Sequence, residues 1–170
     1  MCVDYLYKYN MVEIMRELDI DSFPFSIKTK TGIEILFFNN EKFSWKALIS
    51  RLFFFVCTKG KVKIVCAFDD EKVIHTSFVI PKCKKFAFLD NNDYEIGPSK
   101  TDVNYRGKGI YPYVLKHIVE TSIQKDCDYY MIVNEMNVSS RRGCEKAGFT
   151  IINEVVRSKY FRVWKIRGEK

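Results

Sequence analysis

A short basic segment with two glycines lies where a predicted strand gives way to a predicted helix. The segment 105–110 reads YRGKGI, and its glycines Gly107 and Gly109 allow close backbone approach to an anion. The helix that follows offers unsatisfied N–H donors and a partial positive charge at its N-terminus. A pyrophosphate fits such a site, and Arg106 and Lys108 would add positive charge. Taken alone, the segment is better explained as a basic turn before an ordinary helix, and it matches neither GxxxxGK[ST] nor GxGxxG.

A second motif follows about thirty residues later. The segment 137–149 reads NVSSRRGCEKAGF. Together, RGxG at a helix start and N-x-x-S…E-K-x-G-F on the next helix resemble the GNAT N-acetyltransferase superfamily. The resemblance covers residues 61–166, and the cofactor-binding core that it implies spans 94–149.

The resemblance implies an α+β (mixed α/β) fold in a single domain over residues 1–170. A mostly antiparallel sheet of six to seven strands, flanked by about four helices, would be splayed between two central parallel strands at 94–103 and 129–134. Acetyl-CoA would lie in the gap.

The same resemblance assigns cofactor-binding residues. Backbone N–H groups of the loop would hold the pyrophosphate; the residues concerned are Arg106, Gly107, Lys108, Gly109 and Ile110. The pantetheine arm would pair with the backbone from Thr101 to Val103. Asn137 would face that arm and Ser140 the thiol end. A backbone N–H near Lys100 or Thr101 would hold the oxyanion of the tetrahedral intermediate.

The sequence departs from the family pattern at two positions. Tyr111 stands where the loop usually ends on a small residue, and Cys144 stands where many relatives carry the tyrosine that protonates the leaving thiolate. Cys144 is a weak candidate acid, since a buried helix cysteine is the better explanation. Solvent or Tyr113 could serve instead, and the sequence places neither.

Direct acetyl transfer requires a neutral amine, so a carboxylate acting through water is a suitable base. Glu95 lies on the strand that leads to the loop, where some relatives carry a catalytic glutamate, and it is the candidate base. A surface carboxylate or a structural ion pair is the alternative reading. His75, on a strand that could border the acceptor cleft, is interpreted as structural.

Hydrophobic patterning predicts the elements that position these residues. Strands are expected at Gly32–Phe38, at 61–68 and 73–80 as a hairpin, at 94–103, at 129–133, and at 150–157 and 160–166 as a second hairpin. Helices are expected at Met11–Leu18, after Ser44, at 110–124 and at 138–147. The phenylalanine run at 53–55 either continues the helix after Ser44 or begins a buried segment. The first 60 residues have the least regular pattern.

Composition narrows the class of protein. Hydrophobic residues make up 47% of 170 residues, enough for a substantial core. No apolar run of the sequence is long enough to cross a membrane, and the first residues do not resemble a signal peptide. These features predict a cytoplasmic protein without a membrane partner. Six cysteines without a CxxC pattern and two histidines predict neither a disulfide framework nor a metal site. The net charge of +7 suits an anionic partner but comes without a nucleic-acid-binding motif.

The leading hypothesis is transfer of an acetyl group from acetyl-CoA to the primary amine of a small molecule, with an amino sugar as one candidate acceptor. The protein would act as a monomer or homodimer. Acetylation of a protein N-terminus or lysine is a second reading. A CoA-binding module without turnover is a third, and a basic nucleic-acid-binding domain a distant fourth.

Overall fold

The computed structural model describes residues 4–10, 23–38, 45–121, 127–158 and 163–168. The strands are β1 Asp4–Tyr9, β2 Ser26–Thr31, β3 Lys63–Asp69, β4 Lys72–Pro81, β5 Tyr94–Thr101, β6 Tyr129–Asn134, β7 Phe149–Arg157 and β8 Trp164–Ile166. The helices are α1 Glu34–Phe37, α2 Trp45–Cys57, α3 Ile110–Thr121 and α4 Val138–Lys146, with a 3-10 turn at Val103–Tyr105.

The eight strands form one mixed sheet in the order β2-β3-β4-β5-β6-β1-β7-β8. The predicted β3–β4 hairpin is confirmed, as is the antiparallel pairing of β7 with β8. Strand β5, helix α3 and strand β6 form the predicted crossover, and β5 pairs parallel with β6. Within the described residues the sheet has eight strands rather than the six to seven predicted, because an N-terminal strand joins it.

That N-terminal strand, β1, was not predicted. It lies between β6 and β7 and runs antiparallel to both. Leu6 and Tyr7 are buried at 1% and 0% exposure. Two consecutive buried side chains are expected in a central strand that is covered on both faces, and they hide the alternation that would mark an edge strand.

The strand predicted at Gly32–Phe38 is wrong. Strand β2 precedes it, Gly32 forms a turn, and residues Glu34–Phe37 make the single helical turn α1. Ile35 is fully buried, whereas Phe37 is 78% exposed. A short run of apolar residues does not distinguish a strand from a helical turn, because neither period can be read from it.

The other helix predictions agree with the structure where the residues are described. Helix α2 begins at Trp45 and continues through the phenylalanine run, of which Phe54 is 2% exposed. Helices α3 and α4 match the predicted 110–124 and 138–147 to within a few residues. The predicted Met11–Leu18 helix and Ser44 cap lie outside the described residues, as do residues 122–124 of the predicted 110–124 helix and residues 160–162 of the last strand.

Apolar side chains form one core on each face of the sheet. On one face, α3 and α4 pack over the sheet, burying Ile110, Val114 and Leu115. On the other face, α1 and α2 contribute Ile35 and Phe54. We call these the α3/α4 face and the α1/α2 face.

Strand β5 carries a bulge that determines which side chains reach which face. Val79 pairs with Ile96, but Ser77 pairs with Ser99, so three steps along β5 oppose two along β4. Because a one-residue insertion reverses the alternation of side chains, residues on either side of the bulge change faces. Glu95 pairs with Ile80 on the α1/α2 face, whereas Ser99 lies on the α3/α4 face with Val79 and Ile96.

Candidate functional site

The sheet opens into a cavity between its two central parallel strands. Strands β5 and β6 pair only at Tyr94 with Tyr129 and at Glu95 with Tyr130. Beyond these pairs the strands diverge, and a cavity of about 970 Å³ fills the gap. Its wall includes Phe54 of the α1/α2 face and residues of α3 and α4, so the cavity reaches both faces of the sheet. The predicted splay is therefore present.

The glycine loop and the start of α3 line the α3/α4 end of the cavity. Gly107 and Gly109 adopt φ of +78° and +75°, a left-handed conformation that costs other residues about 1–2 kcal/mol. An added Cβ at either position would meet nothing within 4 Å, so the loop stands open toward the cavity. Arg106 lines the wall and donates from Nε to the carbonyl of Thr101 over 3.3 Å.

The loop is tied to the end of the β3–β4 hairpin. The Tyr105 hydroxyl donates to Asp69 over 2.5 Å, and Lys72 forms a 2.9 Å ion pair with Asp102. Lys108 lies over the Tyr105 ring, 4.7 Å from its centroid. These contacts hold the loop in place before any ligand is bound.

Two of the predicted cofactor residues do not line the cavity. Strand β5 ends at Thr101 rather than at Val103, because the Asp102 carboxylate accepts from the Asn104 N–H and caps the 3-10 turn. Val103 is 68% exposed in that turn. Lys108 also lies outside the wall, whereas Thr101 and Ile110 are part of it.

Asn137 and Ser140 meet at the start of α4. Asn137 is the N-cap residue, and its Oδ1 accepts from the Ser140 N–H over 3.2 Å. Both residues line the cavity. The motif asparagine therefore shapes the helix start that faces the cavity, and a direct contact with a cofactor arm stays a prediction.

Glu95 lies in the cavity wall with its carboxyl group buried. The residue is 5% exposed, and its Oε2 has no hydrogen-bond partner among the described residues. Burial raises the pKa of Glu95 to about 8, and the positive charge of Lys85 opposes this rise. The carboxyl packs against Gly97, where an added Cβ would lie 2.8 Å from Oε1.

The two positions at which the sequence departs from the family pattern touch each other. The Tyr111 hydroxyl lies 3.5 Å from Cys144 Sγ, which contacts Met131 Sδ at 3.6 Å. The Tyr111 ring fills space left by Gly143, where a Cβ would lie 2.5 Å from Cδ1. Tyr111 lines the cavity, whereas Cys144 is fully buried behind it.

Burial governs the ionisation of both groups. It raises the pKa of the Cys144 thiol to about 11 and, with Cys144 and Glu95 adding to the effect, the pKa of Tyr111 well above its ordinary value. Both groups are therefore protonated at neutral pH. Of the two residues, only Tyr111 lines the cavity.

Tyr113, the other tyrosine considered from sequence, stacks on Phe23 at 3.5 Å and is absent from the cavity wall. His75 is buried at 1% exposure, and its ring lies 5.8 Å from that of Tyr111. Sequence reasoning identified Tyr111 only as a departure from a motif. The small residue at Gly143, one turn from the motif serine, was the available signal that an aromatic ring could fit there.

No group of three or more potential metal ligands occurs among the described residues. Within the same residues, no helix is long and apolar enough to cross a bilayer. The described cysteines are free: Cys66, Cys83, Cys127 and Cys144 are buried and Cys57 is exposed.

No protein-family model and no curated protein matches the chain. Solved structures do. An acetyltransferase of the GNAT family from Colwellia psychrerythraea superimposes with a TM-score of 0.63 at 12% identity, over 89% of this chain and 53% of its own. A GCN5-related N-acetyltransferase-like protein from Streptococcus suis matches with a TM-score of 0.52 at 13% identity, over 89% and 60%.

The glucosamine-6-phosphate N-acetyltransferase from Arabidopsis thaliana matches with a TM-score of 0.50 at 16% identity, over 80% of this chain and 99% of its own. The chain thus spans little more than half of the Colwellia and Streptococcus proteins. At these identities the comparison establishes the fold. The chain has the GNAT fold, as its two motifs predicted.

Proposed function

We propose that this protein transfers an acetyl group from acetyl-CoA to the primary amine of a small molecule. The observation that carries the proposal is the cavity through the splayed sheet. The glycine loop and the N-terminus of α3 lie at its α3/α4 end, and the buried Glu95 carboxyl, one oxygen of which has no hydrogen-bond partner among the described residues, lies in its wall on the α1/α2 side.

The cavity residues fit the two ends of acetyl-CoA. The turn at Gly107 and Gly109 and the first N–H groups of α3 suit the pyrophosphate. Beyond Glu95 strand β5 has no ladder pairing with β6, so the edge of β5 that faces the cavity suits the amide-containing arm. The thioester would then reach the gap between the strands, where a backbone N–H near Lys100 or Thr101 would stabilise the oxyanion by about 3 kcal/mol.

Glu95 is proposed as the base that removes the proton from the attacking amine, directly or through one water. The amine nitrogen bonds to the thioester carbon, the C–S bond breaks, and the thiolate leaves. Because burial raises the pKa of Glu95 to about 8, the carboxylate form becomes more populated as the pH rises toward 8. An amine cation bound beside it would favour the same ionised form.

Tyr111 is proposed as the group that donates a hydrogen bond to the departing thiolate. Its phenol lies beside Cys144, the position at which relatives carry a tyrosine on the helix. A thiol is a stronger acid than this phenol, so Tyr111 stabilises the sulfur as the C–S bond breaks, and the final proton can come from solvent. In this protein, a tyrosine at the start of α3 would thus stabilise the leaving thiolate in place of a tyrosine on α4.

Replacing Tyr111 with phenylalanine tests this role. The ring would still fill the space beside Gly143, so the affinity for acetyl-CoA should not change. Loss of one hydrogen bond to a charged sulfur should lower kcat about tenfold or more. Single-turnover kinetics would measure this, and Tyr113→Phe, whose ring stacks outside the cavity, is the matched control. An unchanged kcat in Tyr111→Phe would exclude the role.

The proposed function as a whole is tested in two steps. Calorimetry with CoA and acetyl-CoA should show saturable binding, and absence of heat at millimolar ligand would remove the proposal. Release of thiol from acetyl-CoA should then depend on an added amine. Binding without amine-dependent release from any member of an amine panel would favour a non-catalytic CoA-binding module.

The amine panel should include amino sugars, with and without phosphate, and peptides with free N-termini or lysines. The Arabidopsis neighbour is named for an amino sugar phosphate, and Lys85 contributes positive charge to the cavity wall near Glu95. These observations support an acceptor that carries an anionic group beside its amine. Faster release with peptides than with amino sugars would favour the protein acetyltransferase reading.

A further inference from the structure

Four side chains form a continuous hydrogen-bonded chain on the α3/α4 face of β4 and β5. Thr101 Oγ1 lies 2.7 Å from His75 Nδ1, and His75 Nε2 lies 2.8 Å from Ser77 Oγ. Ser77 Oγ in turn lies 2.7 Å from Ser99 Oγ. Thr101 and Ser99, at the two ends, line the cavity, whereas His75 and Ser77 are buried beneath it.

The imidazole in the middle of this chain is neutral. Burial lowers the pKa of His75 to about 4, so at neutral pH one ring nitrogen carries a hydrogen and the other accepts one. A hydroxyl group donates one hydrogen, and in an unbroken chain each donor must face an acceptor. The tautomer of His75 therefore determines the direction of every bond in the chain.

Two arrangements satisfy these contacts. If His75 Nε2 donates to Ser77, then Ser77 donates to Ser99, Ser99 presents its hydrogen to the cavity, and Thr101 donates to Nδ1 and presents a lone pair. If Nδ1 donates to Thr101, every direction reverses, and Thr101 presents the hydrogen while Ser99 presents a lone pair. In either case one end of the chain donates into the cavity and the other end accepts.

We propose that His75 is a positioning residue that couples the hydroxyl groups of Ser99 and Thr101. A bound cofactor arm then meets one hydrogen-bond donor and one acceptor. CoA binding selects one tautomer of His75. The inference rests on the proposed function, because it identifies the amide groups of the CoA arm as the ligand. An amide carries both a donor and an acceptor, and it therefore complements a chain with one end of each kind. Without a ligand, water can satisfy either arrangement, and we expect both to be populated.

Nitrogen-15 NMR of the histidine rings tests the proposal on the unmodified protein. The protein has two histidines, so the spectrum is simple. In the variant His117→Gln, the remaining signals belong to His75. In the free protein the two ring nitrogens of His75 should have averaged shifts. At saturation with CoA, verified by calorimetry, one should show the shift of a protonated nitrogen and the other that of a bare nitrogen.

An unchanged tautomer population in the saturated complex, or a doubly protonated ring, would overturn the proposal while leaving CoA binding intact. Absence of CoA binding would overturn the proposed function and this inference together. The two failures are therefore distinguishable.

A double-mutant cycle on CoA affinity provides a second readout that a purely structural role would not move. The effects of Ser99→Ala and Thr101→Val on Kd should be non-additive by about threefold or more when the chain is intact. Ser77→Ala interrupts the hydrogen-bonded chain between His75 and Ser99. In the Ser77→Ala background, the fold-changes in Kd caused by Ser99→Ala and Thr101→Val should therefore be independent, so that the double variant shows their product. Additivity in the intact chain would contradict the proposal.

Discussion

Replacing Glu95 with glutamine is expected to lower kcat at least about a hundredfold while leaving the affinity for acetyl-CoA unchanged. Glutamine has nearly the shape of glutamate, and it cannot accept a proton from the attacking amine at neutral pH. The carboxyl lies on the α1/α2 side of β5, opposite the face that carries Ser99 and contacts α3. Steady-state kinetics with the best amine of the panel and calorimetry with acetyl-CoA would measure the two quantities.

The same variant has a control that does not depend on an acceptor. Because the folded-state pKa of Glu95, about 8, is above its ordinary value of 4.5, the folded protein holds a proton that the unfolded chain releases. This contribution to stability is fully present below pH 4.5 and is lost as the pH rises toward 8. Between pH 4.5 and pH 7, the loss of this contribution lowers the free energy of unfolding by roughly 3 kcal/mol.

Glu95→Gln should remove that component of the pH dependence. Denaturant unfolding of both proteins between pH 5 and about pH 8.5 would reveal it as a difference in slope. Parallel stability curves would show that the Glu95 carboxyl is not desolvated in the folded protein. An undiminished kcat in a variant with the altered slope would show that the buried carboxyl is not the base.

Replacing Gly109 with alanine is expected to weaken CoA binding about ten- to a hundredfold. Gly109 adopts φ +75° directly before α3, and alanine is strained there by about 1–2 kcal/mol. If the loop relaxes to relieve this strain, at least one backbone N–H turns away from the pyrophosphate. Each hydrogen bond to a charged group contributes about 1.5–3 kcal/mol. Calorimetric titration with CoA would measure the loss.

Gly32→Ala is the matched control. Gly32 adopts φ +58° in the turn between β2 and α1, and its added Cβ, like that of Gly109, would meet nothing within 4 Å. It does not line the cavity. The two variants should lose similar amounts of unfolding free energy, and only Gly109→Ala should lose affinity for CoA. Equal affinities in the two variants would exclude the loop as the pyrophosphate site.

Local patterns predicted the part of the chain that builds the central strands, the glycine loop and helix α3. The β3–β4 hairpin alternates clearly, α3 has an apolar stripe with Pro112 in its first turn, and the glycine loop lies between a strand and a helix. Each of these signals is contained within about a dozen residues, which is the range over which periodicity and turn chemistry act. The order of these elements and their two motifs were therefore sufficient to predict the splayed sheet and the GNAT fold.

The N-terminal part was predicted poorly because its structure depends on distant partners. Strand β1 joins the sheet between β6 and β7, more than a hundred residues away in the chain, and its burial on both faces removes the alternating pattern. The turn at Gly32 and the single helical turn after it are too short for either period to appear.

The amino-acid sequence by itself determined that a glycine-bearing loop would precede a helix, that a second motif would begin the next helix, and that a glutamate would lie on the strand between hairpin and loop. Only the tertiary structure decided which faces the side chains take. The bulge in β5 places Glu95 and Ser99 on opposite faces, and the packing of α3 on α4 brings Tyr111 to Cys144. Both depend on contacts between segments far apart in the chain, and local propensity carries no information about such contacts.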